Sequence, residues 1–530
     1  MGSISEVACS CNEAEEGERG SECDGVGDFD RDKDAVAGKF ETLLSGDEKQ
    51  LDNNLNAKER RSRKRLMKKN LLVTSAAFLF LFTAFRGLQN LQSTINCIEG
   101  LGLASLATVY FCMVLSCLFL PPLAIRYLDA KWTIAACMSC FVLYTAMNFY
   151  PQWYTLIPAA ALLGAAAAPL WAAQFTHTTT TGIRYAALSR DDSDAVVNRF
   201  FGIFFMFFQS SMVWGSLLSS TVLQSGSSEN NSTADSRATY TYTCGAKDCQ
   251  RTSGNETTYC NPPPDDVKNI LLGAFLFGGV IAVGLITIGL DNLKKPGKKN
   301  NTKKSKFQLF LSTLKLMKTQ RMIFIIPMSF YGGLDQAFVA GDFTKSYISC
   351  ALGVDMVGYI LICYGVGDTI FSLLVGRVAK YTGRVALVTT AALINLILFI
   401  TLLLWDPTTR GNLVVFFWLA AVWGLADAIW RTQLSTLYGV LFSSRQEAAY
   451  SNHILWESLG YAVAFAYSMF LCVSVKLYIM IACLLVGLLL YFHVEYKYRK
   501  ERTELMKNTE YRNIQDEKRL NVIDQDHVMS

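Results

Sequence analysis

The sequence predicts an all-α membrane protein of about twelve transmembrane helices, arranged as two six-helix pseudo-repeats. Three observations carry this. Of 530 residues, 51% are hydrophobic and only 18% charged, too few charges for a soluble chain of this length. The apolar residues gather in runs of roughly 20, long enough to cross a bilayer. The basic residues concentrate in every second connection between those runs, as cytoplasmic loops do.

The runs are 71–92, 102–124, 132–150, 155–180, 200–223, 268–290, 321–343, 355–376, 385–405, 412–438, 453–474 and 476–494. Backbone N–H and C=O groups in lipid must find partners within their own segment, which makes each run a helix. A membrane barrel would alternate apolar and polar residues in segments of about ten, and no such pattern occurs. Residues 1–69 form an N-terminal tail expected to be disordered and cytoplasmic, acidic at first and then basic at Lys58, Arg60, Arg61, Arg63, Lys64, Arg65, Lys68 and Lys69. No apolar stretch precedes them, so the first span is expected to target the chain without a cleaved signal. The charged C-terminal tail 496–530 is likewise expected to be disordered.

With 58–69 in the cytoplasm, the inner connections carry Arg126 and Lys131, then Arg184, Arg190 and Arg199. The basic linker 291–320 follows, then Arg377, Lys380 and Arg384, and finally Lys497, Arg499 and Lys500. Lys345, Arg410 and Lys476 are near-lone charges on the other side. Both termini are therefore expected to be cytoplasmic. The first five spans occupy 70–223, and the outer loop 224–267 leads to the sixth span at 268–290. That loop carries N-glycosylation sequons at Asn230, Asn231 and Asn255. Five cysteines are placed on the oxidising side: Cys97, Cys244, Cys249, Cys260 and Cys350. Five cannot all pair, and connectivity is not readable from sequence. Cys244–Cys249, closing a small loop, is the local option.

The linker 291–320 divides the spans six and six, the second half covering 321–495. Matches recur about 250 residues apart. Phe85-Arg86-Gly87-Leu88-Gln89 answers Tyr331-Gly332-Gly333-Leu334-Asp335, Trp171–Gln174 answers Trp430–Gln433, and Asn198 answers Asn452. In order and at one spacing, they indicate halves related by an axis along the membrane normal.

A charge at the bilayer centre costs about 2.5–3.5 kcal/mol on an insertion scale, so charges within the runs call for an explanation. Asp335, Asp342, Asp368, Asp427, Arg431, Glu457, Arg86, Arg199 and His177 are such residues. Asp427 and Arg431 stand four apart on one helix face and can pair there, which alone could account for them. The functional alternative is a polar cavity between the halves, lined from spans one, four, seven and ten by Gln89, Gln174, Asp335, Asp427, Arg431 and Gln433. His177 reads as interfacial. Ala160, Gly164, Ala168 and Ala172 form a small-residue stripe for close helix approach. The aromatic run Phe200, Phe201, Phe204, Phe205, Phe207 and Phe208 reads as bulk facing lipid or a neighbouring helix. No catalytic constellation, metal-ligand spacing or phosphate loop is present, so no enzyme activity, cofactor or nucleic-acid partner is expected.

Gly376-Arg377-Val378-Ala379-Lys380-Tyr381-Thr382-Gly383-Arg384 resembles the inner-loop motif of the major facilitator superfamily, except that Lys380 stands where an aspartate is usual. The departure puts ordinary gate operation in doubt. Leu81–Ser93, Trp153–Pro158, Ala168–Trp171, Phe200–Phe205 with Gln209-Ser210-Ser211, Cys244–Cys249 and Trp423–Ala428 resemble the Unc-93-like family, especially its A-type branch. The resemblance covers about 70–495. It implies a major facilitator-like fold and, from the founding branch, a regulatory subunit of a potassium channel in the cell membrane. A secondary transporter of a small solute or ion is the alternative. Another branch of the family implies a trafficking chaperone and residence in endomembranes.

Overall fold

The computed structural model of the chain describes residues 56–96, 101–226, 244–249, 264–291, 311–353, 355–407, 413–468 and 470–528. The three sequons, Cys97 and Cys260 lie outside them. Among the described residues ten helices are long and apolar enough to cross a membrane. Two features reconcile ten with twelve. The run Leu101–Met147 breaks at Asp129, whose backbone (φ 61°, ψ 164°) is not helical, so it comprises α2 (101–128) and α3 (130–147). With ψ at 164° Asp129 falls outside the left-handed helical basin, in a region almost confined to glycine. A further helix, α11 (Gln446–Ser468), carries Ser451, Asn452, His453 and Glu457 and falls below the apolar level of the other spans.

The remaining helices are α1 (Ala57–Ile95), α4 (Trp153–Ser189), α5 (Ser193–Gly226) and α6 (Asp265–Gly284) in the first half. The second half holds α7 (Gln320–Phe338), α8 (Asp355–Thr382), α9 (Arg384–Leu404), α10 (Leu413–Leu441), α11 and α12 (Val473–Val528). A short helix, Ser312–Met317, precedes α7, and α7 continues in a wider π-helical winding over Val339–Ser349.

Both tails differ from the sequence expectation. Residues 57–69 are not a disordered tail but the first turns of α1. Beyond 495 the chain stays helical to Val528. Arg, Glu, Lys, Leu and Met are good helix formers, and each segment extends a helix already nucleated by a span. With 56 residues, α12 is about 84 Å long at the usual helical rise.

The repeat reappears in the packing. Gly87 of α1 lies against Gly215 of α5, and Gly333 of α7 lies against Gly460 of α11. Gly164 of α4 abuts Val109 of α2, as Gly424 of α10 abuts Tyr364 of α8. At each of these positions an added Cβ would meet a neighbour's backbone. Asn198 and Asn452 each bond the carbonyl four residues back, at 3.0 and 2.9 Å. The Ala160–Ala172 stripe is buried. Of the two readings of the α5 aromatic run, the helix-facing one holds for Phe200, Phe201, Phe204, Phe205 and Phe208, which are buried. Phe204 and Phe208 stack beside Phe78, Phe82 and Trp171, with the Phe82–Phe208 centroids 5.0 Å apart.

The segment Cys244–Cys249, in the connection between α5 and α6, docks on the second half. Gly245 takes φ +80° beside Pro407, where a Cβ would meet the proline ring. Val473 N donates to Asp248 O at 3.0 Å. The local disulfide Cys244–Cys249 does not form. Cys244 bonds Cys350 at the end of α7, and Cys249 bonds Cys472 in the turn before α12. A short 3-10 turn over Gly245–Lys247 separates the two cysteines, which engage different elements. The apolar run 453–474 takes in Cys472, but α11 ends at Ser468, leaving Cys472 just before α12.

Candidate functional site

Four of the charged residues within the runs, Arg86, Asp368, Asp427 and Arg431, gather in a seam between the halves. From the first half, α1 contributes Arg86, whose Nη2 donates to Gln209 Oε1 of α5 at 3.0 Å. The Arg86 guanidinium lies 4.4 Å from the Phe208 ring centroid, so an aromatic face covers its apolar side. Gln209 Nε2 then crosses to the second half, donating to Asp368 of α8 and, at 3.2 Å, to Asp427 of α10.

Asp427 is the hub. Its carboxylate also accepts from Arg431 Nε at 2.9 Å, from the Tyr364 hydroxyl at 2.9 Å and from Gln336 Nε2 of α7. Gln336 Oε1 accepts from Tyr461 of α11 at 3.3 Å, and Tyr461 stacks on Tyr110 of α2. Asp368 takes a second bond from Ser372 at 3.0 Å. Two arginines thus stand among two aspartates, with neutral amides and phenols as bridges. Removing a charge from water costs several kcal/mol, which is offset only where the partner charge and the remaining lone pairs are satisfied together.

The six residues expected to line one cavity do not do so. Asp427 and Arg431 belong to the seam. Gln89 sits at its edge, donating to Tyr110 at 2.8 Å. Asp335 is enclosed within the second half, where Trp423 Nε1 reaches both its carboxylate oxygens at 3.2 Å. Gln174 bonds Thr178 on its own helix at 2.9 Å. Gln433 borders a separate small cavity with Trp430 and Tyr491, and neither of its amide atoms has a hydrogen-bond partner. Spacing gives the face of each helix but not which neighbour that face meets. His177 is buried rather than interfacial. The residues missed were Gln209, Gln336 and Tyr364, neutral side chains that do not stand out in an apolar run.

Charged contacts also mark the two ends. On the side of the Gly376–Arg384 motif, Arg384 is buried and pairs with Glu495 of α12 at 3.1 Å and with Asp194 of α5 at 3.6 Å. Arg502 reaches Asp192 at 2.5 Å. The Thr179 and Tyr450 hydroxyls bond across the halves at 2.6 Å. Lys380 itself is exposed. Arg384 of the motif thus has acids against it from α5 and α12, although Lys380 stands where an aspartate is usual. At the opposite end Lys476, a near-lone charge in the sequence, is buried in a 2.5 Å pair with Asp342.

Two six-helix halves joined across a polar seam define a membrane protein of the major facilitator fold. The fucose transporter FucP, solved in its outward conformation, superposes with a TM-score of 0.55 at 11% identity, over 80% of this chain and 98% of that one. That similarity speaks for the fold alone. Residues 93–492 match the family model described as ion channel regulatory protein UNC-93. The Xenopus laevis protein unc-93 homolog A is 46% identical over 431 residues, 81% of this chain and 93% of that protein. The Caenorhabditis elegans putative potassium channel regulatory protein unc-93 is 32% identical over 468 residues, 87% of this chain and 64% of that one. The chain belongs to the UNC-93 family of ion channel regulatory proteins.

Proposed function

We propose that the protein is an accessory subunit that binds and modulates a potassium channel in the cell membrane, with both termini cytoplasmic and the outer loop glycosylated. Family membership carries this reading: the matched region takes in nearly all of the spans, and a nematode relative bears the name of a putative potassium channel regulator. The geometry is in keeping with it. Transporters of this architecture rock one half against the other about a central site. Here the centre is occupied by paired charges. One face carries ion pairs between the halves, and on the other a first-half loop is bonded to the second half.

The second reading, a secondary transporter of a small solute or ion, draws on the charges of the seam. Oocytes expressing the protein alone, a potassium channel alone and both together separate the two. The accessory reading expects a channel current that changes on co-expression and no uptake by the protein alone. Uptake by the lone protein that Asp368→Asn abolishes, with no effect on any channel tested, would overturn it in favour of transport.

A further inference from the structure

Three cations converge on one ring where α1, α4 and α5 meet. Lys64 Nζ lies 5.9 Å, Lys68 Nζ 5.6 Å and the Arg199 guanidinium carbon 5.8 Å from the Tyr185 ring centroid. Any two of them are therefore within about 12 Å of each other, close to the screening length in physiological salt. Lys64 and Lys68 come from adjacent turns of one face of α1, and Arg199 from the start of α5. Among the described residues no carboxylate pairs with any of the three, whereas the neighbouring Lys69 pairs with Asp291 at 2.8 Å. Glu59 is the only acid in 57–69. A single aromatic face attracts a cation weakly and does not neutralise three. Among the described residues the cluster keeps its positive charge, which favours an anion.

We infer that this cluster binds the phosphorylated headgroup of an anionic inner-leaflet lipid, a polyphosphoinositide. The depth of the site argues for a lipid over a free phosphate. Lys68 is three residues before the first apolar run and Arg199 directly precedes the α5 run, which puts both at headgroup level. Leu66 and Leu72, on the same stretch of α1, are 42% and 49% exposed and available to acyl chains. Clusters of four to eight basic residues beside a span recognise such lipids. Tyr185, itself buried against Phe200, gives this one a fixed geometry. The inference is independent of the channel reading but rests on the cytoplasmic N-terminus proposed above.

The test uses the full-length protein in detergent micelles and short-chain phosphatidylinositol bisphosphate, with bound lipid counted by native mass spectrometry. A basic residue near an anionic surface contributes roughly fivefold in affinity. The variant Lys64→Gln/Lys68→Gln/Arg199→Gln is therefore expected to bind on the order of 100-fold more weakly. The exposed-charge control Arg61→Gln/Arg65→Gln is expected to bind almost as wild type. Lys68→Gln alone, at an exposed position that folding does not depend on, is expected to lose about fivefold. Equal losses in the triple variant and the control would reduce the effect to unspecific charge and overturn the site. Inositol trisphosphate binding as tightly as the lipid would overturn the lipid assignment. Absence of lipid binding by the wild type would overturn both.

Discussion

Replacing Asp427 by asparagine keeps the size of the side chain and removes its charge, which makes it the sharpest perturbation of the seam. Four donors converge on this carboxylate: Gln209, Gln336, Tyr364 and Arg431. Arg431 is only 17% exposed, so water compensates little for the lost partner. Removing one member of a buried pair costs about 3–5 kcal/mol. Gln209 keeps Asp368 as an acceptor, which places the expected loss near the lower end, about 3 kcal/mol. The double variant Asp427→Asn/Arg431→Gln leaves no stranded charge and is expected to be more stable than Asp427→Asn alone. Thermal unfolding in micelles can be followed with a thiol-reactive fluorophore, because Cys117 and Cys137 are free and buried. An unchanged midpoint for Asp427→Asn would refute the reasoning. So would a double variant that loses the sum of the two single losses, since a coupled pair is not additive.

Two further substitutions probe the packing in the same assay. Gly333→Ala places a Cβ into the Glu457 carbonyl of α11, while the adjacent Gly332 has nothing within 4 Å. The first is expected to cost about 1–3 kcal/mol or more and Gly332→Ala close to nothing, and equal effects would contradict the α7–α11 contact. Lys476→Met removes the buried cation that faces Asp342 and is expected to lower the midpoint by more than the paired replacement Lys476→Met/Asp342→Leu. The reverse order would count against the pair.

The number of spans and their division into halves were legible because bilayer thickness imposes a length on every apolar run, and the repeat leaves marks at one spacing. The signs that misled are also physical. Asp335 and Asp427 are both acids in glycine-bearing spans, yet one faces Trp423 within its own half and the other faces the opposite half. Only the helix packing separates them. Gln209, the residue that bridges the halves, is neutral and carries none of the insertion cost that draws attention to a charge. Lys380 suggested a lost gate. The acids that pair with Arg384 come from α5 and α12, far away in sequence, where a motif does not reach. The disulfides follow the same logic: Cys244 and Cys249 are near in sequence, but their partners lie 106 and 223 residues away.

Those two bonds carry the claim that a loop of the first half is fastened to the second. A protease site inserted in the 292–310 connection cuts the chain between the halves, and the fragments are then run on a denaturing gel. With the native bonds the fragments migrate together without reductant and separate when it is added. The variant Cys244→Ser/Cys249→Ser separates in both conditions. Wild-type fragments that separate without reductant, as a local Cys244–Cys249 bond would make them, contradict the account.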